Sequence, residues 1–236
     1  SQFGRLAGHQ QLGAAPYKVV HHCSSGRTVY SFCMCPGGLV VAASSEPGGV
    51  VTNGMSSYAR AEANANSGLM VDVRPGDWPG DGPLAGIAFQ RFWERRAFEL
   101  GGSDYSAPGQ RVGDFLAGKP SGSFGAVKPS YRPGVKPCNL ADCLPGFVVA
   151  SLKEAIPAIG RKVRGFAEPD AVMVGVETRS SSPLRILRHP DSLECPSLSG
   201  LCPAGEGAGY AGGIISAAVD GMRVAEQILT QTSIPR

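Results

Sequence analysis

Glycine and proline set the first limit on what this chain can fold into. The 236 residues include 33 glycines and 19 prolines, together about 22% of the chain, just under the ~25–30% typical of low-complexity sequences. With 42% hydrophobic residues, a sizeable buried core is expected. Glycine costs conformational entropy on folding, so its excess in a globular chain indicates close approach of backbone to a ligand or to other backbone.

Charge and apolar patterning exclude several classes of function. A net charge of +3 with no lysine and arginine stripe does not suit nucleic-acid binding. No apolar stretch reaches the ~18–20 residues of a membrane span, and no signal-peptide pattern opens the chain. The seven cysteines are dispersed and odd in number, which fits a reducing compartment. We therefore expect an intracellular protein in a reducing compartment, which is the cytoplasm or, in a eukaryote, an organelle such as a plastid.

The spacing of apolar residues predicts a β-rich start, a helical middle and a β–loop–helix end, which is a mixed α/β or α+β fold. Strands are expected at 29–35 and 39–43, with a tight turn at 36–38 between them. In an amphipathic helix at 83–100, the aromatic side chains are expected in the core and Glu94 on the solvent side. The other expected elements are strands at 50–52, 69–73, 171–177 and 184–188, helices at 110–116, 147–163 and 214–229, and a long loop at 118–137.

The segment 205–213 is the most informative stretch. Residues 207–212 match G-x-G-x-x-G, but the dinucleotide fingerprint also needs a second strand and an acid ~20 residues further on. Only one helix follows, so a standard Rossmann ADP site is not expected here. A glycine-rich backbone that opens a helix still favours an anion or a partly negative carbonyl, and Glu206 can accept hydrogen bonds from ligand hydroxyls. Tight packing of the helix on a sheet is the alternative.

Four blocks in the same order carry a resemblance through nearly the whole chain. The chain resembles the C-terminal part of a family of uncharacterised FAD-dependent oxidoreductases, or dehydrogenases. The blocks are Tyr30–Gly38 (YSFCMCPGG), Thr52–Ser56 (TNGMS) with 64–67 (NANS), Val176–Ser182 (VETRSSS) and Pro203–Gly221 (PAGEGAGYAGGIISAAVDG).

The resemblance implies an FAD enzyme. In that family an N-terminal G-x-G-x-x-G unit, which this chain lacks, holds the ADP half of FAD. We therefore expect the chain to be a fragment, which the first residue, Ser1, also favours. By itself this fragment should bind FAD weakly. The implied layout is a substrate and insertion lobe at 1–170, β-rich over 28–75 and helical over 83–165. A flavin-contacting segment at 171–236 then contributes the β–helix element that completes a Rossmann-like FAD domain.

The resemblance also implies the chemistry and its residues. The reaction would be hydride or electron transfer through the flavin, with a small organic substrate or NADH or NADPH as partner. Gly205 and Glu206 would lie by the ribityl–pyrophosphate region, and the N–H groups near 208–210 would face the flavin C2 carbonyl. The loop after the strand at 171–177 would lie near the flavin ring, where Arg179 can bind a carboxylate or phosphate. The full set of predicted cofactor-binding residues is Gly205, Glu206, Gly207, Ala208, Gly209, Tyr210, Gly212, Gly213, Thr178, Arg179 and Ser180.

The other reactive residues give weaker signals. Cys33 and Cys35 are expected to be buried or half-buried thiols, because a Cys-x-Cys disulfide is strained and metal sites use wider spacing. The histidines at 9, 21, 22 and 189 have no acidic residue at helical spacing, so we expect surface or loop histidines and no metal site. No residue stands out as a catalytic acid or base. Two other functions stay open: a non-catalytic ligand-binding domain with the flavoprotein fold, and a thiol redox protein that uses Cys33 and Cys35.

Overall fold

A computed structural model describes residues 4–6, 9–11 and 19–231 of the chain. It has a mixed α/β fold with one antiparallel sheet, one mixed sheet and four α-helices among the described residues. A short 3-10 helix at Gly4–Leu6 precedes the first sheet. No helix in this part of the chain combines the length and the hydrophobicity needed to cross a membrane.

The first sheet is built around one long strand. Strand β2 (Thr28–Ala42) pairs antiparallel with β1 (Val19–His22), β3 (Thr52–Ser56) and β4 (Asn64–Val71). The tight turn predicted at 36–38 is wrong, because the chain passes through these residues as one continuous strand. The β2–β4 register shifts twice, between Phe32 and Gly38. These irregularities take up the extra residues that the sequence pattern suggested were a turn.

The second sheet has three short strands. The central strand β5 (Ala107–Arg111) pairs parallel with β6 (Val135–Pro137) and antiparallel with β7 (Val172–Val174). Gln110, predicted in a helix, lies in β5 instead. Its buried amide donates to the Lys119 carbonyl and accepts from the Leu140 N–H, each at 2.8 Å. These two long-range bonds favour the strand over the local helical pattern.

The helices begin and end close to the predicted positions. They are α1 (Ala85–Gly101), α2 (Val112–Ala117), α3 (Gly146–Gly160) and α4 (Ile214–Gln231), and a second 3-10 helix spans Leu140–Cys143. The predicted orientation of α1 is wrong in part, because Glu94 is only 2% exposed whereas Phe92 is 55% exposed. A buried partner for the carboxylate, described below, decides this orientation.

The hydrophobic core lies where α3, α1 and the two sheets meet. Val29, Phe115, Leu140, Ile156 and Ile159 are almost completely buried in it. The Thr52 N–H donates to the Val176 carbonyl at 2.9 Å. This bond connects β3 of the first sheet to the chain that leaves β7 of the second sheet, so the ends of the two sheets lie together.

The chain between β7 and α4 has no regular strand among its described residues, so the strand predicted at 184–188 is wrong. This segment is held by the buried ion pair between Arg188 and Asp220 of α4, which is 2.6 Å long. The Tyr210 ring lies over the Arg188 guanidinium, 3.7 Å from its central carbon. Gly209 has φ +82°, and a Cβ there would collide with the Leu184 carbonyl oxygen. Side-chain anchors and one close backbone approach therefore replace a strand ladder.

We expect Arg188→Met to destabilise the fold by about 3–5 kcal/mol, because Asp220 would stay buried without its cation. The matched control is Arg223→Met. Arg223 is exposed on α4, the helix that carries Asp220, and its loss should change stability by roughly 0.5 kcal/mol or less. Free energies of unfolding from urea titration would measure both. Equal costs for the two substitutions would contradict this role of the pair.

Candidate functional site

A large cavity lies between the first sheet, α1, α3 and the chain after β7. Its volume is about 1080 Å³, at the upper end of the range for small-molecule and cofactor sites. Aromatic and aliphatic side chains form most of the wall, and polar side chains also take part in it. The apolar lining includes Met70, Trp78, Phe89, Leu152 and Ile156, and the polar lining includes Asn66, Trp93, Glu177, Thr178 and Ser180.

Asn66 on β4 lines this cavity, and both polar atoms of its amide are buried. Neither Oδ1 nor Nδ2 has a hydrogen-bond partner among the described residues, and the same holds for the indole Nε1 of Trp93. Leaving such a group unsatisfied costs about 1–3 kcal/mol. Gly54 lies against the amide so closely that a Cβ there would collide with Oδ1. Two residues that line the cavity therefore hold one acceptor and two donor groups without partners among the described residues.

Glu177 is the acid that the sequence analysis missed. It follows β7 by three residues and lines the cavity, and burial raises the pKa of its carboxyl to about 7. A Cβ on Gly68 would lie 3.0 Å from its Oε2, so the carboxyl lies directly above β4. An acidic residue at the end of an apolar strand, inside the VETRSSS block, was the available signal. A carboxyl with a pKa near neutrality can both donate and accept a proton.

A buried carboxylate fixes the loop that follows Glu177. Glu94 of α1 accepts hydrogen bonds from Thr178 Oγ1 at 2.7 Å and from Arg179 at 3.0 and 2.7 Å. Arg179 also donates to Ser45, and Gln90 donates to the Thr178 carbonyl at 2.9 Å. Thr178 and Ser180 line the cavity. Arg179 is thus engaged by Glu94, and its geometry supports a role in positioning the loop.

The glycine segment forms a closed turn beside the start of α4. The Gly209 and Tyr210 N–H groups donate to the carbonyls of Glu206 and Gly205, at 2.9 and 3.0 Å. The Gly205 N–H donates to Asp220 Oδ2 at 2.9 Å. Two of the N–H groups predicted to face a flavin carbonyl are therefore used within the turn. At Gly207 and Gly212 a Cβ would meet nothing within 4 Å, so a ligand can approach the backbone there.

The structure divides the predicted cofactor-binding residues into two groups. Thr178 and Ser180 line the cavity, whereas none of the residues 205–213, all of which the structure describes, belongs to its lining. The two groups are joined by the chain at 183–186. Pro183 lines the cavity, and the Ile186 N–H donates to the Ala208 carbonyl at 3.1 Å. The glycine segment thus lies beyond the cavity rim.

Cys33 and Cys35 lie on the irregular part of β2. Cys33 is exposed and Cys35 is half-buried, so the prediction of a buried or half-buried thiol is wrong for Cys33. The Cys35 thiol donates to the Cys33 carbonyl at 3.3 Å. Although the residue as a whole is exposed, partial removal of its sulfur atom from water, together with the neighbouring Cys35 and Glu177, raises the pKa of the Cys33 thiol. Use of these cysteines in a thiol redox reaction stays a prediction.

Comparison with known proteins adds two findings. Residues 1–180 match the family model described as FAD-dependent protein, C-terminal domain-like. An uncharacterized protein of Clostridium beijerinckii (strain ATCC 51743 / NCIMB 8052) is 50% identical over 237 residues. That match covers 100% of this chain and 44% of the relative, so the chain spans less than half of the relative's length.

We expect the carboxyl of Glu177 to make the fold less stable as the pH rises. Its pKa is raised in the folded state, from 4.5 to about 7, so the unfolded chain releases this proton first. The free energy of unfolding should therefore fall between about pH 4.5 and 7, by roughly 1–3 kcal/mol from this group. Glu177→Gln should remove that part of the fall.

Chemical denaturation of both proteins at pH 5 and pH 8 would measure this difference. The substituted protein should gain stability relative to the parent at pH 8 and show little difference at pH 5. A difference that does not change with pH would show that Glu177 has an ordinary pKa.

Proposed function

The chain belongs to the FAD-dependent protein, C-terminal domain-like family, and from that premise we propose that it is the flavin- and substrate-binding part of an FAD-dependent oxidoreductase. The observation that carries the proposal is that the Asn66 amide and the Trp93 Nε1 are both buried without partners among the described residues, in two side chains that line the same cavity as Glu177. We propose that this cavity receives the isoalloxazine ring.

The polar side chains in the cavity lining match the hydrogen-bonding groups on the polar edge of that ring. The edge of an isoalloxazine presents carbonyl oxygens on either side of an N–H, so it needs both donors and an acceptor. Asn66 offers Nδ2 as a donor and Oδ1 as an acceptor, and Trp93 offers a further donor. The aromatic and aliphatic wall suits the flat apolar part of the ring. When bound, flavin supplies the capacity to accept and return two electrons.

Glu177 would hold or move the proton that accompanies electron transfer. At neutral pH a carboxyl with a pKa of about 7 is populated in both protonation states, which is the condition for general acid–base catalysis. The pair of Glu94 and Arg179 keeps the following loop in place, so that Thr178 stays at the cavity wall. Position and proton supply are then the protein's contributions.

The glycine segment would bind the ribityl–pyrophosphate part of FAD. Gly207 and Gly212 leave the backbone open to close approach, and the amino-terminal end of α4 favours negative charge. The chain at 183–186 connects this segment to the cavity rim, so one elongated ligand could contact both. On this proposal residues 171–236 complete the FAD domain, and residues 1–170 form most of the cavity wall around the ring and also bind a small organic substrate or a nicotinamide.

Binding of lumiflavin, which has the ring without the ribityl and ADP parts, tests the cavity directly. We expect the chain to quench lumiflavin fluorescence saturably, and Asn66→Leu to weaken binding about tenfold or more, since buried hydrogen bonds are lost. The same substitution should leave the unliganded fold as stable or more stable, because it removes an unpaired buried amide.

The matched control is Gln10→Leu, which changes an exposed amide and should alter neither property. Lumiflavin binding that Asn66→Leu leaves unchanged would place the ring elsewhere. Absence of any saturable binding would contradict the cavity as a flavin site.

A further inference from the structure

Three potential metal ligands meet where β1 lies against α3. They are the imidazole of His21, the thiol of Cys23 and the carboxylate of Glu154, and their ligand atoms all lie within 4.8 Å of one another. His21 Nε2 is 3.1 Å from Glu154 Oε1. Glu154 is 133 positions from His21 in the chain, so spacing along the sequence gave no sign of this cluster.

The surroundings of the cluster hold its ligands in place. The Ser24 N–H and hydroxyl donate to the two oxygens of Glu154, each at 2.8 Å. Cys23 is buried, and its thiol points to the Ser151 carbonyl on α3 at 3.6 Å. Hydrogen bonds that orient ligating side chains are a regular feature of metal sites. The imidazole and the carboxylate stay partly exposed, at 21% and 38%, so an ion can enter.

We propose that His21, Cys23 and Glu154 bind a divalent cation of the zinc type, with the fourth position open. The site is distinct from the cavity and does not rest on flavin binding. A nitrogen, a thiolate and a carboxylate oxygen suit Zn²⁺ and Co²⁺, whereas Mg²⁺ and Ca²⁺ prefer oxygen ligands alone.

The observed distances are close to those of a tetrahedral site. Usual zinc–ligand bond lengths put a nitrogen and an oxygen ligand about 3.3 Å apart, and a sulfur and a nitrogen ligand about 3.6 Å apart. The first distance compares with 3.1 Å here, and the thiol needs to move inward by about 1.2 Å at most, given the 4.8 Å limit. A rotation of the Cys23 side chain away from the Ser151 carbonyl can supply this movement.

Binding exchanges protons for the ion in a balanced way. The Cys23 thiol must lose its proton, since the thiolate is the ligand. The thiol, whose sulfur lies 3.6 Å from the Ser151 carbonyl oxygen, gives its proton to solvent when the ion binds. The imidazole must be neutral, and the Nε2 lone pair then faces the carboxylate. The cation takes the place of the proton between His21 and Glu154.

Titration of the reduced chain with Co²⁺ tests the proposal, because a cobalt–thiolate bond gives a charge-transfer band that nitrogen and oxygen ligands do not. We expect one Co²⁺ per chain, the charge-transfer band and the visible absorption of a four-coordinate ion, all displaced by Zn²⁺. Cys23→Ser should abolish the charge-transfer band, and His21→Ala should weaken binding more than about 100-fold, beyond the ~10–100-fold scale of an orienting residue.

His22→Ala is the matched control. His22 is adjacent in sequence, but its ring bonds to Thr28 Oγ1 at 3.1 Å, so cobalt binding should be unchanged. A Cys33→Ser/Cys35→Ser variant should also keep the band. Circular dichroism would confirm that each variant folds. If Cys23→Ser does not fold, the effect of His21→Ala on cobalt binding tests the proposal instead. Absence of one-to-one binding, or binding that depends on Cys33 and Cys35, would overturn the proposal.

Discussion

The carboxylate of Glu94 is the constraint on which the candidate site depends. It is buried in α1 and is compensated by Thr178 and Arg179, which lie 84 and 85 positions further along the chain. An uncompensated buried charge would be very costly, so helix and loop must come together. The Glu94 carbonyl also accepts the Val50 N–H at 3.0 Å, which draws in the chain before β3. The walls of the cavity are assembled around this contact.

A cavity that contains unpaired polar groups stores a cost that a ligand can remove. Asn66 and Trp93 both present buried polar atoms without partners among the described residues, and Glu177 carries a carboxyl whose charge is disfavoured by burial. Each feature makes the unliganded fold less stable than a hydrophobic substitute would. Such local inconsistencies are typical of functional sites, where stability is given up for binding. The functional proposal therefore depends on these polar side chains more than on the apolar wall of the cavity.

Local sequence patterns predicted where the helices lie better than they predicted which side chains are buried and how the strands pair. The helices at 85–101, 146–160 and 214–231 follow from apolar spacing and from the glycines near their ends. The same spacing predicted Glu94 on the solvent side, because an amphipathic pattern assigns every charged residue to the exposed face of a helix. It also suggested a turn at 36–38, because Pro36 and two glycines usually mark one. Long-range pairing of β2 with β3 and β4 decided against the turn, and a pattern confined to a short window cannot include such pairing.

The sequence by itself determined the family, the mixed α/β class and the presence of a glycine-rich segment before the last helix, since these depend on residues close together in the chain. Only the tertiary structure decided which polar groups meet. Asn66, Trp93 and Glu177 come from a strand, a helix and a loop, and His21 and Glu154 lie 133 positions apart in the chain. Their chemistry depends on distance and burial in three dimensions, and neither quantity is a property of sequence spacing.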